Sequence, residues 1–286
     1  MELSLICPAE HVEMTELLSG RFCIASTAMQ DARYRRYFRN DTTHRVILDN
    51  GVFENDLISD SDYDTLIEEI KPSVVIVPDI LCGNAHDNWK QAVAFATRFK
   101  LKEKYKNIKL MFVPQTKRDD TEGFGLTLVR AIDSKLFDAI GICRDAVYNA
   151  YGKYTQTEDQ ELNRLYFAAQ ATFRGFVERA ARNATQWHFL GIGDRIDLIQ
   201  YYWFVDSMDT ASLFYQGYNG AQIDNGTLKT RVKRPPDYFT RHYTDLKEGG
   251  TWQLEAIKNI KNNCIDAQNY ADKATALRNR LQNGRL

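Results

Sequence analysis

Residues 73–79 read Ser-Val-Val-Ile-Val-Pro-Asp and decide the fold. Four β-branched apolar residues in a row predict a strand buried on both faces, as the strands of a parallel sheet are. The proline and aspartate that follow indicate where this strand ends. Because consecutive parallel strands need a crossover between them, usually a helix, the flanking sequence should alternate between helix and strand.

The rest of the chain shows this alternation. Seven further strands are predicted, at residues 3–7, 22–26, 46–49, 108–115, 138–143, 187–193 and just before Asp209. Helical patterns occupy residues 9–18, 33–39, 60–70, 85–104, 126–132, 158–182, 194–202 and 252–281. Asp60 or Ser61 is the expected cap of the third of these helices.

Eight strands separated by helical segments predict a (β/α)8 barrel of the TIM type, with a doubly wound open sheet as the alternative. The barrel is favoured because polar residues mark the carboxyl ends of so many strands. We expect residues 1–246 to form the barrel and residues 247–286 a helical extension packed on it.

Composition narrows the class of protein. The chain has 286 residues, 44% of them hydrophobic, which suffices for one large core, and its net charge of −1 gives no overall basic field. The five cysteines are scattered singly, as reduced thiols are. No apolar run approaches a membrane span and no secretory leader is visible, so a cytoplasmic protein without a membrane partner is expected.

The predicted strand ends carry the functional signal. Strands three to eight end in turn at Asp49, Asp79, Gln115, Gly141, Gly191 and Asp209. In a barrel such positions converge over one pocket. This set of groups suits a purine base. The carboxylates can accept from a ring N–H and an exocyclic amine, and the amide and backbone N–H groups can donate to a carbonyl oxygen.

Three motifs in order resemble the tRNA-guanine transglycosylase superfamily. They are Asp-Asn-Gly-Val-Phe at 49–53, Phe-Leu-Gly-Ile-Gly at 189–193 and Met-Asp-Thr-Ala-Ser at 208–212. The resemblance covers residues 46–212 and departs from the family at two places. Pro114 and Thr116 flank Gln115, and the second glycine expected after Gly141 is Ile142.

The resemblance implies a role for each matched residue. Asp209 would be the nucleophile that forms a covalent aspartyl-sugar intermediate, and Asp49 the general acid/base. The base would be bound by Asp79, Gln115, Gly141, Leu190 and Gly191. Asp206 is a rival for either catalytic role, although a structural hydrogen bond is the favoured interpretation because it matches no motif.

One family feature is missing, and its absence selects a branch of the family. The tRNA enzymes carry a zinc site of clustered cysteines and a histidine, whereas Cys264 and His242 stand alone after Asp209. We expect no zinc and no other cofactor. The chain then resembles the phage-type DNA-guanine transglycosylases, which exchange guanine in DNA for a 7-deazaguanine such as 7-cyano-7-deazaguanine. The implied partners are DNA and the free 7-deazaguanine base, and a second copy of the chain or accessory modification proteins are further candidates. If the chain is phage-encoded, the implied location is the host cytoplasm.

Two basic runs are candidate nucleic-acid contacts. The first comprises Lys229, Arg231, Lys233 and Arg234, with Tyr215, Tyr218, Tyr238 and Phe239 around it for stacking. The second is centred on Arg35 and Arg36, between Arg33 and Arg39 and interleaved with Tyr34, Tyr37 and Phe38. Each run is alternatively a solvated face. A base within a duplex would have to be flipped out to reach the pocket.

Other functions stay open. The same chemistry on tRNA is the first alternative. A barrel that only binds nucleobases or nucleic acid is the second, and a different barrel hydrolase the third, although Asp79, Gln115 and Gly141 argue against a site for sugar alone.

Overall fold

The computed structural model describes residues 1–51, 58–151, 169, 185–228, 238–239 and 251–283. Its eight sheet strands are β1 (Glu2–Leu5), β2 (Arg21–Ile24), β3 (Val46–Asp49), β4 (Val74–Ile76), β5 (Lys109–Phe112), β6 (Ala139–Cys143), β7 (Gln186–Leu190) and β8 (Ser207–Thr210). Two short strands, β9 (Ile223–Asp224) and β10 (Thr227–Leu228), form an antiparallel pair.

The α-helices are α1 (Ala25–Gln30), α2 (Ala32–Asn40), α3 (Asp60–Ile70), α4 (Ala85–Lys100), α5 (Thr121–Ser134), α6 (Arg144–Tyr151), α7 (Leu198–Tyr201), α8 (Ser212–Tyr218) and α9 (Thr251–Gln282). Two 3-10 helices span Ala9–Leu17 and Glu103–Tyr105. The predicted helix over 158–182 lies outside the described residues.

The eight strands form one sheet in the order β1-β8-β7-β6-β5-β4-β3-β2, and helices alternate with them along the chain. The strands at the two ends of this order meet, since Ser4 forms a parallel bridge with Gly20 and the Gly20 N–H donates to the Leu3 carbonyl at 2.7 Å. A Cβ atom at Gly20 would lie 3.0 Å from the Leu3 carbonyl oxygen and would collide with Ser4 Oγ, so the absence of a side chain at Gly20 favours this close approach. The predicted (β/α)8 barrel with a C-terminal helical extension is confirmed.

Local signals fixed most element positions, with corrections at their ends. Ser59, rather than Asp60 or Ser61, caps α3, and its hydroxyl accepts from the Asp62 N–H at 3.1 Å. Helix α4 ends at Lys100, not near Lys104, and a 3-10 turn follows it. Residues 9–17 form a 3-10 helix with non-helical torsion angles at His11, where a continuous helix was expected.

By its internal contacts the chain divides into two compact units, one of Met1–Val46 with Gly191–Leu286 and one of Ile47–Leu190. The predicted boundary at residue 246 stays a prediction.

Within the unit 47–190, the Tyr63 side chain connects the ends of two strands. Its buried hydroxyl contacts the Leu48 carbonyl at 3.1 Å and the Ile76 carbonyl at 2.8 Å.

In the other unit, α9 holds the segment that follows α8. The buried Asn263 accepts from the Ile223 N–H at 3.1 Å and donates to the Ala221 carbonyl at 3.0 Å. A Cβ atom at Gly217 would lie 2.9 Å from the Ile260 Cα atom, so α8 and α9 pack backbone to backbone there.

Two further sequence inferences can be compared with the structure. Every helix among the described residues is too short or too polar to cross a membrane. All five cysteines are free thiols, and Cys7, Cys23 and Cys264 are buried.

The Tyr63 hydroxyl should stabilise the fold measurably. We expect Tyr63→Phe to lower the free energy of unfolding by about 1–2 kcal/mol, because two buried carbonyl groups lose a shared donor. Urea denaturation measures this. The control is Tyr105→Phe, whose part-buried hydroxyl contacts the half-exposed Glu68 carboxylate at 3.1 Å and should matter less. Equal losses in the two variants would contradict the assignment.

Candidate active site

A buried carboxylate held by two amides lies beyond the carboxyl ends of β3, β4 and β5. Asp79 follows β4 by three residues and is 5% exposed. Asn50 Nδ2 donates to one carboxylate oxygen at 2.6 Å, and Gln115 Nε2 donates to the other at 2.6 Å. Asn50 Nδ2 also donates to the Val77 carbonyl at 3.1 Å, which fixes its orientation. The structure thus brings the predicted residues Asp79 and Gln115 into direct contact.

This environment changes the acidity of Asp79. Burial raises the pKa of its carboxyl group from 3.8 to about 6, although the hydrogen bonds from Asn50 and Gln115 oppose the increase. The group is therefore ionised at neutral pH and takes up a proton in mildly acidic solution. The two amides and the Asp79 backbone N–H donate to this carboxylate, which has roughly four acceptor positions.

Asn88, on α4, extends this cluster. It is fully buried, and its Oδ1 accepts from the Gln115 backbone N–H at 3.3 Å. Two atoms of the cluster have no hydrogen-bond partner within the part of the chain that the structure describes, namely Asn88 Nδ2 and Gln115 Oε1. A buried polar atom without a partner is costly and uncommon, so these two atoms indicate a position for a ligand or an ordered water.

Asp49 is the last residue of β3 and is also buried. One of its carboxylate oxygens accepts from the Gly51 N–H at 3.0 Å. Gly51 has a φ of +77°, a conformation that glycine adopts without strain, which explains the glycine. The last two residues of this motif, Val52 and Phe53, lie outside the described residues.

Gly141 differs from its expected position. It is the third of the five residues of β6, not the strand's last residue, and it is buried. A Cβ atom there would lie 2.6 Å from Leu190 Cδ1 and 2.8 Å from Val113 Cγ2. Because Leu190 and Val113 fill the space beside it, packing alone accounts for glycine at this position. Whether Gly141 and Leu190 bind a base stays a prediction.

Asp209 belongs to the other unit. It is the third of the four residues of β8, is 4% exposed, and accepts from the Gly191 N–H with both carboxylate oxygens at 3.2 Å. Gly191 has a φ of +71°, and no described atom lies within 4 Å of where its Cβ would be.

Asp206 is not at the end of β8 where it was expected. It precedes the strand and accepts from Arg278 Nη1, on α9, at 2.9 Å. Asp206 and Asp209 therefore lie at opposite ends of the same short strand. The structural interpretation of Asp206 agrees with this half-buried ion pair.

The structure buries two of the three aromatic residues that interleave the second basic run. On α2, Arg36 is exposed and Arg35 is half-buried, with Arg35 Nη1 donating to the Ala28 carbonyl at 2.7 Å. Tyr34 and Phe38 are buried in the core and cannot stack on bases. Their interleaving with arginine reflects an amphipathic helix.

The first basic run, with Lys229, Arg231, Lys233 and Arg234, lies outside the described residues. Three of the aromatic residues assigned to it for stacking are buried, which makes that assignment wrong for Tyr215, Tyr238 and Phe239. Tyr238, for example, donates to the Ile6 carbonyl at 3.0 Å. Only the half-buried Tyr218 stays available from this set.

Sequence reasoning missed two members of the Asp79 cluster. Asn50 was taken as a turn residue and Asn88 as an ordinary helix position. For Asn50 a signal existed, since it directly follows a strand-end aspartate. For Asn88 the only signal was an amide four residues into α4, within the first turns of a helix that begins at the carboxyl end of the barrel strands.

No group of three histidine, cysteine, aspartate or glutamate residues within the described ranges could hold a metal ion. The expectation of no zinc stays a prediction, because His242 lies outside the described residues.

No protein family model matches the chain, and no curated protein matches its sequence. The transglycosylase resemblance therefore rests on the motifs and on the groups described above.

The pKa of Asp79 predicts how stability changes with pH. Its folded pKa of about 6 exceeds the unfolded value of 3.8, so between these values the folded protein binds more protons and its stability falls as pH rises. We expect wild type to lose about 1–3 kcal/mol of unfolding free energy relative to Asp79→Asn between pH 4 and pH 7.

Urea denaturation across this pH range measures the difference. The control is Asp266→Asn, which removes an exposed carboxylate on α9. Stability curves for wild type and Asp79→Asn that stay parallel with pH would contradict the assignment.

Proposed function

We propose that this protein exchanges guanine in DNA for a 7-deazaguanine through a covalent aspartyl-sugar intermediate. The observation that carries the proposal is the buried Asp79 carboxylate held by Asn50 and Gln115. Guanine and 7-deazaguanine share an edge with adjacent N–H donors at N1 and the 2-amine. An ionised carboxylate is chemically complementary to such a pair of donors.

Asp209 supports the covalent step. Its buried carboxylate accepts from the Gly191 N–H with both oxygens, which holds the group in a defined orientation. In the first step, a carboxylate oxygen bonds to C1′ of the nucleotide as the bond from C1′ to N9 breaks. The electron pair goes to N9 of the departing guanine, which takes a proton from the carboxylic acid of Asp49.

The second step reverses the first with a different base. The Asp49 carboxylate takes the N9 proton of the 7-deazaguanine, and N9 attacks C1′ as the ester bond breaks. The Asp209 carboxylate is thereby regenerated. Sugar configuration is retained, as in other double displacements with two carboxyl groups.

The choice of DNA over tRNA rests on the resemblance to the phage-type enzymes. Arg36 on α2 is an exposed cation that suits a phosphate, but such a contact does not distinguish the two nucleic acids. The experiment therefore offers both substrates.

The test is incorporation of labelled guanine or 7-cyano-7-deazaguanine into duplex DNA and into tRNA. We expect incorporation into DNA by wild type and at least a thousandfold loss in Asp209→Asn, because an amide cannot act as the nucleophile. The matched control is Asp206→Asn, three residues away, which should retain activity within about threefold.

Each outcome has a definite meaning. Incorporation into tRNA alone would keep the chemistry and overturn the substrate. Loss in Asp206→Asn but not in Asp209→Asn would reverse the nucleophile assignment. Folded wild type that binds the base but incorporates it into neither substrate would overturn the exchange reaction and favour a nucleobase-binding barrel.

Base binding should depend on the ionisation of Asp79. Since only the carboxylate accepts from both N–H groups of the base, affinity for guanine should fall about tenfold from pH 7 to pH 5, given the pKa of about 6. Asp79→Asn should bind guanine weakly at both pH values. Calorimetric titration measures this, and wild-type affinity that does not change with pH would contradict the role of Asp79.

A further inference from the structure

The outward face of α9 exposes large apolar side chains. Leu254 is 67% exposed and Ile265 is 60% exposed, although the opposite face of the helix is packed, with Ile260 and Ala267 fully buried. Single exposed apolar residues are common on protein surfaces, so the pattern in which these two lie decides what they mean.

Leu254 and Ile265 belong to one stripe of seven exposed residues along the helix. Its members recur at intervals of three or four positions, which keeps them on one face of an α-helix. At a rise of about 1.5 Å per residue, the stripe extends for about 33 Å along α9. Its residues are Leu254, Lys258, Lys261, Ile265, Asn269, Asp272 and Ala276.

This stripe is complementary to its own reverse about Ile265. Lys258 and Asp272 lie seven positions before and after Ile265, so a cation mirrors an anion. Leu254 and Ala276 lie eleven positions before and after it, so an apolar side chain mirrors another apolar one. A second copy of the same helix, running in the opposite direction, therefore offers each of these groups a partner of matching chemistry.

We propose that α9 joins two copies of this protein into a homodimer, packed antiparallel with the twofold axis at Ile265. The two Ile265 side chains meet at this axis. Lys258 of each copy pairs with Asp272 of the other copy, and Leu254 packs on Ala276 of the other copy. The contact is isologous, because the same surface serves both copies. The inference does not depend on the proposed exchange reaction, since no residue of the stripe belongs to the candidate site.

The charges of the stripe select the antiparallel arrangement. A parallel pair would place Lys258 beside Lys258 and Asp272 beside Asp272, and like charges across an interface repel. Within its own chain Asp272 accepts from the neutral Gln268 Nε2 at 2.9 Å, which leaves its charge for a cation of the other copy. In the antiparallel pair Lys261 lies opposite Asn269 of the other copy, whose amide oxygen can accept from the ammonium group.

Sedimentation velocity over a range of protein concentrations tests the proposal. One helix from each copy makes a small interface, so we expect a dimer with a Kd of roughly 10–100 μM. Ile265→Glu should raise this Kd by at least about 30-fold, because it replaces the apolar contact at the axis with two carboxylates. The matched control, Leu101→Glu, introduces the same charge at a residue that is 82% exposed in the other unit, and should leave the Kd unchanged.

Exchanging charges between the two ends of the stripe tests its register. Lys258→Glu and Asp272→Lys should each weaken the dimer about tenfold when studied alone, since each creates two contacts between like charges. An equimolar mixture of the two variants should associate within about threefold of wild type, because each copy then supplies the charge that the other copy lacks. All the substituted positions are exposed, so circular dichroism should show that the variants fold like wild type.

Three results would each overturn the inference. The first is wild type that stays monomeric up to about 500 μM, well above the expected Kd. The second is a dimer that persists in Ile265→Glu, which would place the interface elsewhere. The third is a mixture of Lys258→Glu and Asp272→Lys that associates no more tightly than either variant alone, which would exclude the antiparallel register about Ile265.

Discussion

The burial of one carboxylate, Asp79, is the constraint on which the candidate site depends. A carboxylate removed from water is costly unless hydrogen bonds replace its hydration. Here two side-chain amides do so, and each is itself held, Asn50 by the Val77 carbonyl and Gln115 by Asn88. The ends of β3 and β4, which precede Asn50 and Asp79, are in turn joined by the Tyr63 hydroxyl.

The same constraint accounts for the chemical character of the cluster. Because Asp79 demands donors, Asn50 and Gln115 turn their NH2 groups inward, and the remaining atom of Gln115 is necessarily an acceptor. The polarity of the site thus follows from one ionised group. A protonated Asp79 would allow the Gln115 amide to turn over and present a donor instead.

Much of the fold was predictable because its signals are local. Continuous apolar runs such as 74–77 marked buried parallel strands, and the expected cap of α3 lay within one or two residues of the observed cap, Ser59. The helix predicted over 194–202 was less well placed, since α7 spans Leu198–Tyr201. Prediction failed where the outcome depended on distant contacts. Asp206 was placed with Asp209 at the end of a strand, whereas it precedes β8 and pairs with Arg278, on the distant helix α9.

The site was predictable in part for the same reason. Asp79 and Gln115 follow strands and were expected to meet, and they do. Asn88 was missed because nothing near it in sequence distinguishes a buried amide from an exposed one. The aromatic residues Tyr34 and Tyr238 were misassigned because composition shows that an aromatic is present but not which way it faces.

The division of the chain into two units has a consequence for the order of events during synthesis. The unit with Asp79 is one continuous segment, 47–190, whereas the other joins residues from both ends of the chain, with Leu3 opposite Met208 in the register of β1 and β8. Contacts between residues so far apart form late, because the intervening chain must be synthesised and its loop closed first. A ribosome therefore completes the segment that carries the Asp79 cluster before it has made the strand that carries Asp209.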